Sequence, residues 1–395
     1  MANSTWLKSN ITSGVLGKPR GGNFPTCVIE YLESHIVYEN PRPHVHSRHG
    51  YFPGMVRLSS GELLCAFMLA EAFEAPNGTT HISRSSDGGR TWRLQGPLYD
   101  KSSIGFETTD ALKATELRDG TLVCVGYRFH RHDLEQPIGI EETGGVLPGD
   151  NLFGTSLDQG LTWSVASIAR TRPELLEISG PCIETASGDL LAVSAPLKMP
   201  DGANPSGQLG VLLRRPRDGE WSDREVFFRA PGGNLAPLES RIVELQPGRL
   251  VAIVWAYDYV AQRHHANHIV YSLDNGHTWS EPIDTGHLGQ ASSIHWLGGD
   301  LLASIHAHRG PQFGLFVRVV DFGGNQWRVL EEEVVWEGAP SGQTGDARAM
   351  IDMFKALRFG QPSLVAMGDD EFLAVHWAIE DGQGRIRAHR LRIRS

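Results

Sequence analysis

The sequence predicts an all-β chain folded as a six-bladed β-propeller, and three observations carry that prediction. An apolar strand pair with a Gly- or Asp-containing turn recurs six times. A short turn containing Asp, Gly and Trp follows most copies of that pair. The 45 Gly and 22 Pro residues are spread at turn-like intervals and form no linker, so residues 1–395 are predicted to be a single domain.

The six strand pairs are predicted to be the inner hairpins of six blades. Their turns are typical of tight hairpins, and their second strands are runs of apolar residues, which indicates burial on both faces. One such unit cannot bury its own apolar surface, so we expect the copies to pack side by side. The predicted hairpins lie near residues 52–69, 111–127, 181–196, 241–257, 293–308 and 362–378.

The second repeated pattern, which we call the Asp-Gly-Trp turn, has a structural role. Three full copies span residues 85–92, 156–163 and 272–279, and two degenerate copies span residues 218–221 and 321–327. The Asp carboxylate accepts hydrogen bonds from backbone N–H groups of the turn, and the Gly takes a left-handed conformation. We expect the Trp to pack between neighbouring sheets.

These turns resemble the Asp-boxes of the sialidase superfamily, and the resemblance covers nearly the whole chain. In that family the box lies between the third and fourth strands of a blade. The resemblance therefore implies that five blades end in the strand that follows a turn Trp. The sixth blade lacks an outer strand, and we expect the alternating segment at residues 27–38 to supply it, which closes the ring and leaves no exposed edge.

Composition excludes several classes of partner. The formal net charge is −10 and no basic stripe occurs, so nucleic acid is not an expected partner. The longest apolar runs have about the length of a strand, so we expect no membrane span. The first residues lack the charged-then-apolar pattern of a secretory signal, which predicts a cytoplasmic location. The sequence does not indicate an oligomeric state.

Histidine spacing raises the question of a metal site. Three pairs have the i, i+2 spacing that places both side chains on one face of a strand: His44 and His46, His130 and His132, and His306 and His308. Imidazole is a common metal ligand, but a lone pair is more often buried or hydrogen-bonded. We therefore predict neither a metal nor another cofactor.

The propeller geometry predicts where a functional site lies. First strands begin, and second strands end, on the face opposite the Asp-Gly-Trp turns, so both sets of residues meet at the mouth of the central funnel. Carboxylates, cations, imidazoles and aromatic rings are collected at these positions, a mixture that suits a polyhydroxylated ligand. The candidates for substrate binding are Arg241, Arg128, Arg309, His49, His130, Asp258, Glu71 and Gln361.

The residues that define sialidase activity are mostly absent. The family resemblance implies three arginines on the substrate carboxylate, a Tyr nucleophile backed by a Glu, and an Asp acid/base. Glu239 matches the supporting Glu. The first arginine is missing, because blade one opens with Phe52 and Pro53 instead of an Arg-Ile-Pro motif, and Trp255 occupies the place of the second arginine. The resemblance therefore predicts the fold without the chemistry of sialic acid.

What remains predicts a carbohydrate-active enzyme, a hydrolase or a lyase, that acts on a small or oligomeric sugar substrate bearing a carboxylate. For hydrolysis, Glu239 and Asp110 are the expected carboxylate pair. For elimination, His308, His130 and Tyr257 are the expected bases. Arg241, Arg128 and Arg309 are expected to bind the substrate carboxylate. Two alternatives remain open: a non-catalytic propeller that binds glycan or protein, and a sialidase with atypically placed arginines.

Overall fold

The protein is a ring of six antiparallel sheets. The computed structural model describes residues 27–310, 312–338, 356–368 and 370–394. The first described strand, β1 (Val28–Tyr38), belongs to the last blade, and the other blades follow in chain order. Within the described residues, no helix is long and apolar enough to cross a bilayer.

The first three blades fill the first half of the ring. Blade one contains β2 (His49–Arg57), β3 (Leu63–Ala70), β4 (Thr79–Ser85) and β5 (Arg93–Pro97). Blade two contains β6 (Glu107–Glu116), β7 (Leu122–Arg131), β10 (Gly149–Ser156) and β11 (Ser164–Ser167), and the small hairpin β8 (Gly139–Ile140) and β9 (Gly145–Val146) projects from it. Blade three contains β12 (Leu176–Glu177), β13 (Ile183–Glu184), β14 (Leu190–Pro196), β15 (Gly210–Arg215) and β16 (Ser222–Phe228).

The other three blades complete the ring. Blade four contains β17 (Leu235–Gln246), β18 (Arg249–Asp258), β19 (Arg263–His264), β20 (His268–Ser272) and β21 (Ile283–Asp284). Blade five contains β22 (Ser292–Gly298), β23 (Leu301–His308), β24 (Gly314–Asp321) and β25 (Arg328–Glu337), with a 3-10 turn at Gly323–Asn325. Blade six contains β26 (Phe359–Gly368), β27 (Glu371–Glu380), β28 (Gln383–Arg394) and β1.

The N-terminal strand closes the ring, as the sequence predicts. β1 pairs antiparallel with β28, from Val28 opposite Arg394 to Tyr38 opposite Ile386. Arg390 of β28 contacts Glu33 of β1 at 3.1 Å and Glu371 of β27 at 2.9 Å, so one buried cation joins three strands. The predicted fold class, a six-bladed propeller closed by this strand, is confirmed.

Six apolar clusters hold the blades together, and each lies between two neighbouring sheets. The second strands supply most of the fully buried residues, as in β3, where every residue is buried. Burial on both faces explains why these strands read as continuous apolar runs and not as alternating patterns.

Internal hydrogen bonds fix the conformation of the Asp-Gly-Trp turns. In the first copy, Asp87 Oδ1 accepts the N–H groups of Arg90 and Thr91 at 3.0 Å, and Trp92 Nε1 donates to Gly89 O at 2.9 Å. These bonds hold the Asp87 carboxylate in its charged form, and its pKa is lowered chiefly by the Thr91 hydroxyl. The turn joins β4 to β5, which is the predicted place between third and fourth strands.

Gly89 sits where two blades meet, which makes it a test of that contact. Its φ is +88°, and a Cβ added there lies 2.8 Å from Leu373 of blade six. Gly120, in a hairpin turn with φ of +84°, has no atom within 4 Å of such a Cβ. The two positions share the backbone conformation and differ in packing.

We therefore expect Gly89→Ala to destabilise the protein more than Gly120→Ala. Each substitution places an Ala in the left-handed region, which costs about 1–2 kcal/mol. Gly89→Ala adds an overpacking cost of about 1–3 kcal/mol. Urea unfolding of both variants measures the difference, and equal losses of unfolding free energy would show that the turn does not contact blade six as described.

Candidate active site

A cavity of about 350 Å³ lies on the propeller axis. It is lined by the upper parts of innermost strands, by the ends of second strands and by loops near them, including Glu239 of β17, Gln361 of β26 and Tyr257 of β18. Because alternate strands run in opposite directions, the Asp-Gly-Trp turns lie on the other face. The cavity has the size and the enclosing shape of a small-molecule site.

Three β-bulges aim side chains into this cavity. Phe52, Glu239 and Gln361 have φ values of +51°, +44° and +42°, a region that residues other than Gly rarely adopt. Each lies at a register shift in the innermost strand of its blade. Bulges of this kind redirect side chains, and the three residues all line the cavity.

Buried cations hold the backbone at these bulges. Arg241 donates to the carbonyl oxygens of Glu239 at 3.1 Å and Ser240 at 2.9 Å. The pattern recurs in the other two blades: Lys113 donates to Phe52 O, and Arg309 donates to Phe359 O at 2.9 Å. Each basic side chain is almost wholly buried, so the carbonyls replace part of the water that it loses. Burial lowers the pKa of Lys113 to about 7, so its Nζ is only partly charged at neutral pH.

Two glutamates from neighbouring blades meet at the cavity wall. The backbone N–H of Glu239 donates to Glu177 Oε2 at 3.2 Å, and the Gln361 amide donates to Glu239 Oε1 at 2.6 Å. Glu239 Oε2 is buried and makes no hydrogen bond to any described residue. The Glu239 carboxylate is thus fixed through one oxygen, and its other oxygen is buried without a hydrogen-bond partner among the described residues.

The environment of Glu177 keeps its proton on at neutral pH. Burial, followed by the negative charge of Glu239, raises the pKa of Glu177 to about 8. The Glu239 N–H and the Arg241 charge act in the opposite direction and are outweighed. Two carboxylates with different environments and one shared neighbourhood are a common arrangement of catalytic acids and bases.

Arg241 contacts the backbone beside this pair and does not line the cavity. Its guanidinium donates to Ser179 Oγ at 3.1 Å and is fully enclosed. A Cβ at Gly180 would lie 2.7 Å from Arg241 Cδ, so only Gly leaves room for the side chain. Blade three accommodates this close approach because its innermost strand is interrupted between β12 and β13.

Five of the predicted site residues line the cavity: Glu239, Asp110, Tyr257, Arg309 and Gln361. The Asp110 carboxylate already has partners within the protein. It accepts hydrogen bonds from the Thr80 N–H at 2.8 Å and Lys101 Nζ at 3.1 Å. The expected pairing of Glu239 with Asp110 stays a prediction, and Glu177 is the acidic residue that the structure places in contact with Glu239.

The remaining predicted residues do not line the cavity: Arg241, Arg128, His308, His49, His130, Asp258 and Glu71. Arg128 and His130 both contact Asp150, at 2.8 and 2.9 Å. Asp258 accepts the backbone N–H groups of Val260 and Ala261, which stabilises a turn.

The other histidines in that set also have structural partners. His308 Nδ1 lies 2.9 Å from Leu288 O, and His49 Nδ1 accepts the Gly384 N–H at 2.8 Å. Of the three arginines expected to bind a substrate carboxylate, Arg309 lines the cavity, whereas Arg241 and Arg128 do not. Among the residues that the structure describes, no group of three or more His, Cys, Asp or Glu side chains has a metal-binding arrangement.

Glu177 was not among the candidates from sequence. It lies in β12, a two-residue strand above the break at Ser179 and Gly180, where the innermost strand of blade three was expected to begin. The available signal was its position in the apolar run around Leu175, Leu176 and Ile178, since an acidic residue in such a run needs a partner. Extending the predicted innermost strand of blade three toward the N-terminus, across Gly180 and Pro181, would have included Glu177.

Comparison with known proteins supports the fold. No family model matches the sequence, and no curated protein matches it significantly. A protein of unknown function from Dyadobacter fermentans matches with 20% identity and a TM-score of 0.71, over 94% of this chain and 100% of its own. The Hadza microbial sialidase matches with 17% identity and a TM-score of 0.63, over 88% of this chain and 66% of its own.

A Penicillium chrysogenum alpha-L-arabinanase, solved with arabinobiose, matches with 14% identity and a TM-score of 0.63, over 92% of this chain and 98% of its own. The predicted resemblance to the sialidase-type six-bladed propeller is therefore confirmed. At these identities the matches show the shared architecture.

The raised pKa of Glu177 has a consequence for stability. The folded protein holds a proton there that the unfolded chain releases near pH 4.5, so stability from this group is lost as pH rises from about 5 through 8. Glu177→Gln removes the ionisable group and, with it, the loss of folding stability at high pH.

We therefore expect Glu177→Gln to be more stable than the native protein at pH 8, by on the order of 1–3 kcal/mol, and to differ much less at pH 5. Urea unfolding at both pH values measures this, with the exposed residue change Glu135→Gln as the control. A stability difference that does not depend on pH would show that Glu177 ionises normally.

Proposed function

We propose that the protein is a glycoside hydrolase that cleaves a neutral sugar from its substrate in the axial cavity. The observation that carries this proposal is that Glu177 accepts the backbone N–H of Glu239, which brings two glutamates with separate environments together at the wall of one cavity. Such a pair supplies the acid and the nucleophile or base that glycoside hydrolysis requires.

The environments assign the two roles. Glu177 is protonated at neutral pH and donates its proton to the glycosidic oxygen as the bond from that oxygen to the anomeric carbon breaks. Glu239 is held by Gln361 through Oε1 and acts as the second carboxyl group of the reaction. We assign the retaining mechanism, in which Glu239 attacks the anomeric carbon as the glycosidic oxygen leaves. A water molecule that gives its proton to the deprotonated Glu177 then hydrolyses the covalent intermediate.

The charges in the cavity favour a neutral sugar over the uronate expected from sequence. Its walls carry the carboxyl groups of Glu74, Asp110, Glu141, Glu177 and Glu239, and the cations Lys198 and Arg309. Arg309 is already committed to Gln290 and Phe359. An added substrate carboxylate would meet repulsion and few free donors.

The cavity offers hydrogen-bonding groups suited to sugar hydroxyls. Gln361 and Trp377 line the cavity, and Gln361 Oε1 and Trp377 Nε1 are buried without a hydrogen-bond partner among the described residues. One is an acceptor and the other a donor, so hydroxyl groups that reach them when a sugar binds would satisfy both. The solved arabinanase, which binds arabinobiose on the same fold, supports a carbohydrate substrate.

We expect turnover of at least one neutral monosaccharide from a panel of 4-methylumbelliferyl glycosides of both anomeric configurations. Glu177→Gln and Glu239→Gln should each lower kcat by about 10²–10⁴-fold, because one removes the proton donor and the other the nucleophile. Glu142→Gln, an exposed neighbour of the cavity residue Glu141, is the control and should retain activity.

Turnover that survives in both variants would contradict the assigned pair. Sugar binding without turnover across the panel would favour a non-catalytic glycan-binding propeller. Rapid cleavage of a sialoside would restore the sialidase alternative, for which Arg309 is the one arginine among the described residues of the lining.

The pH profile tests the role of Glu177 separately. We expect kcat/KM to fall as pH rises through about 8, because the acid is then deprotonated in the free enzyme. Initial rates at low substrate between pH 5 and 10 measure the profile. A rate that rises through pH 8 would contradict the assignment of Glu177 as the acid.

A further inference from the structure

One side of the cavity is an apolar wall. We define the blade-one wall as the cavity residues that pack together there: Phe52, Met68, Phe73, Leu357 and Trp377. The ring centroids of Phe52 and Phe73 are 5.2 Å apart and those of Phe73 and Trp377 are 5.7 Å apart. The Phe52 ring meets both other rings nearly edge-on, so the wall is a cluster of rings and not a single flat platform for one sugar face.

A second apolar wall is formed by the segment that carries β8 and β9 together with the ends of β7 and β14. We define the flap wall as Phe129, Ile138, Val146 and Leu197, which also line the cavity and belong to one cluster. Its backbone is tied down: the N–H groups of Ile138 and Gly139 donate to Glu74 Oε1 at 3.0 and 3.3 Å.

The other side of the flap is anchored to blade three. The Val146 N–H donates to Lys198 O at 3.1 Å, and a Cβ at Gly145 would lie 1.9 Å from Met199 O, so the chain passes there only as Gly. These contacts fix the flap wall as a permanent part of the cavity in the described structure.

The apolar walls adjoin the carboxylate pair. Gln361 contacts Glu239 at 2.6 Å, and its neighbour Gly360 pairs with Trp377 of the blade-one wall. A ligand whose sugar lies against Glu177 and Glu239 therefore extends directly onto apolar side chains. Hydroxyl groups placed against the phenylalanine, methionine, leucine, isoleucine and valine side chains of these walls would lose their hydrogen bonds to water without replacement.

We propose that these walls bind an apolar leaving group, so that the substrates are small glycosides with an aryl, benzyl or similar apolar aglycone and not sugar polymers. This inference rests on the proposed hydrolase function and names its substrate class. The sugar occupies the polar side of the cavity, and burial of the aglycone supplies binding energy next to the bond that is cleaved.

The test compares benzyl and methyl glycosides of the sugar that gives turnover in the panel. Benzyl alcohol and methanol are leaving groups of similar acidity, so the comparison isolates binding of the apolar ring. We expect kcat/KM for the benzyl glycoside to exceed that for the methyl glycoside by about 10–200-fold, the range for an apolar group that fills a pocket.

Phe73→Ser should bring the benzyl-to-methyl ratio close to one, while Phe73→Leu should keep most of the preference. The methyl glycoside is the internal control, because its cleavage does not use the wall. Phe106→Ser changes a phenylalanine that is 37% exposed and does not line the cavity, and it should leave the ratio unchanged.

The possible failures are distinguishable. Equal cleavage of both glycosides by the native protein overturns the inference and leaves the hydrolase function intact. No cleavage of any glycoside overturns the hydrolase function, and a second measurement then decides the inference. In that measurement benzyl alcohol is titrated while tryptophan fluorescence is recorded; saturable binding that Phe73→Ser abolishes supports an apolar site, and no binding rejects it.

Discussion

Buried cations bound to backbone carbonyls determine the shape of the axial site. Arg241, Lys113 and Arg309 each donate to a carbonyl at or beside a bulge in an innermost strand. A left-handed residue other than Gly costs about 1–3 kcal/mol and persists only where its surroundings enforce it. These basic side chains hold the carbonyls at or beside the bulges, and the bulge at Glu239 is where its N–H meets Glu177.

Ring closure makes these local contacts possible. β1 adds the outer strand of blade six, so that the first and last described strands of the chain lie in one sheet and join the two ends of the ring. The cations then lie where residues of neighbouring blades meet: Arg241 of blade four reaches Ser179 of blade three, and Arg309 of blade five reaches Phe359 of blade six. Stability of the ring and geometry of the site therefore depend on the same inter-blade contacts, and the Glu177–Glu239 pair is itself one of them.

The sequence predicts the fold far better than the site. Repeats reveal blades because each repeat encodes the same local packing, and the Asp-Gly-Trp turns and the closing strand follow from it. The site depends on bulges and a strand break that only some of the blades have. A pattern that all the blades share does not predict such features. The bulge at Glu239 and the break before Ile183 place Glu177 beside Glu239, whereas Asp110, on the regular strand β6, is bound by Lys101. Position at a strand end selected Glu239, Gln361 and Arg309 correctly as cavity residues, but it did not distinguish them from His130 and Asp258, which have structural partners.

The central claim is that Glu177 and Glu239 form a carboxyl pair in which Glu177 keeps its proton at neutral pH. The most direct measurement is an NMR titration of the native protein labelled with carbon-13 at the glutamate side-chain carboxyl, with the Glu177 signal assigned from Glu177→Gln. We expect the Glu177 carboxyl carbon to titrate near pH 8, well above the usual range of glutamate. Glu239→Gln should lower this midpoint because it removes the neighbouring negative charge. A midpoint near 4.5 that does not change in Glu239→Gln would show that Glu177 and Glu239 do not form such a pair.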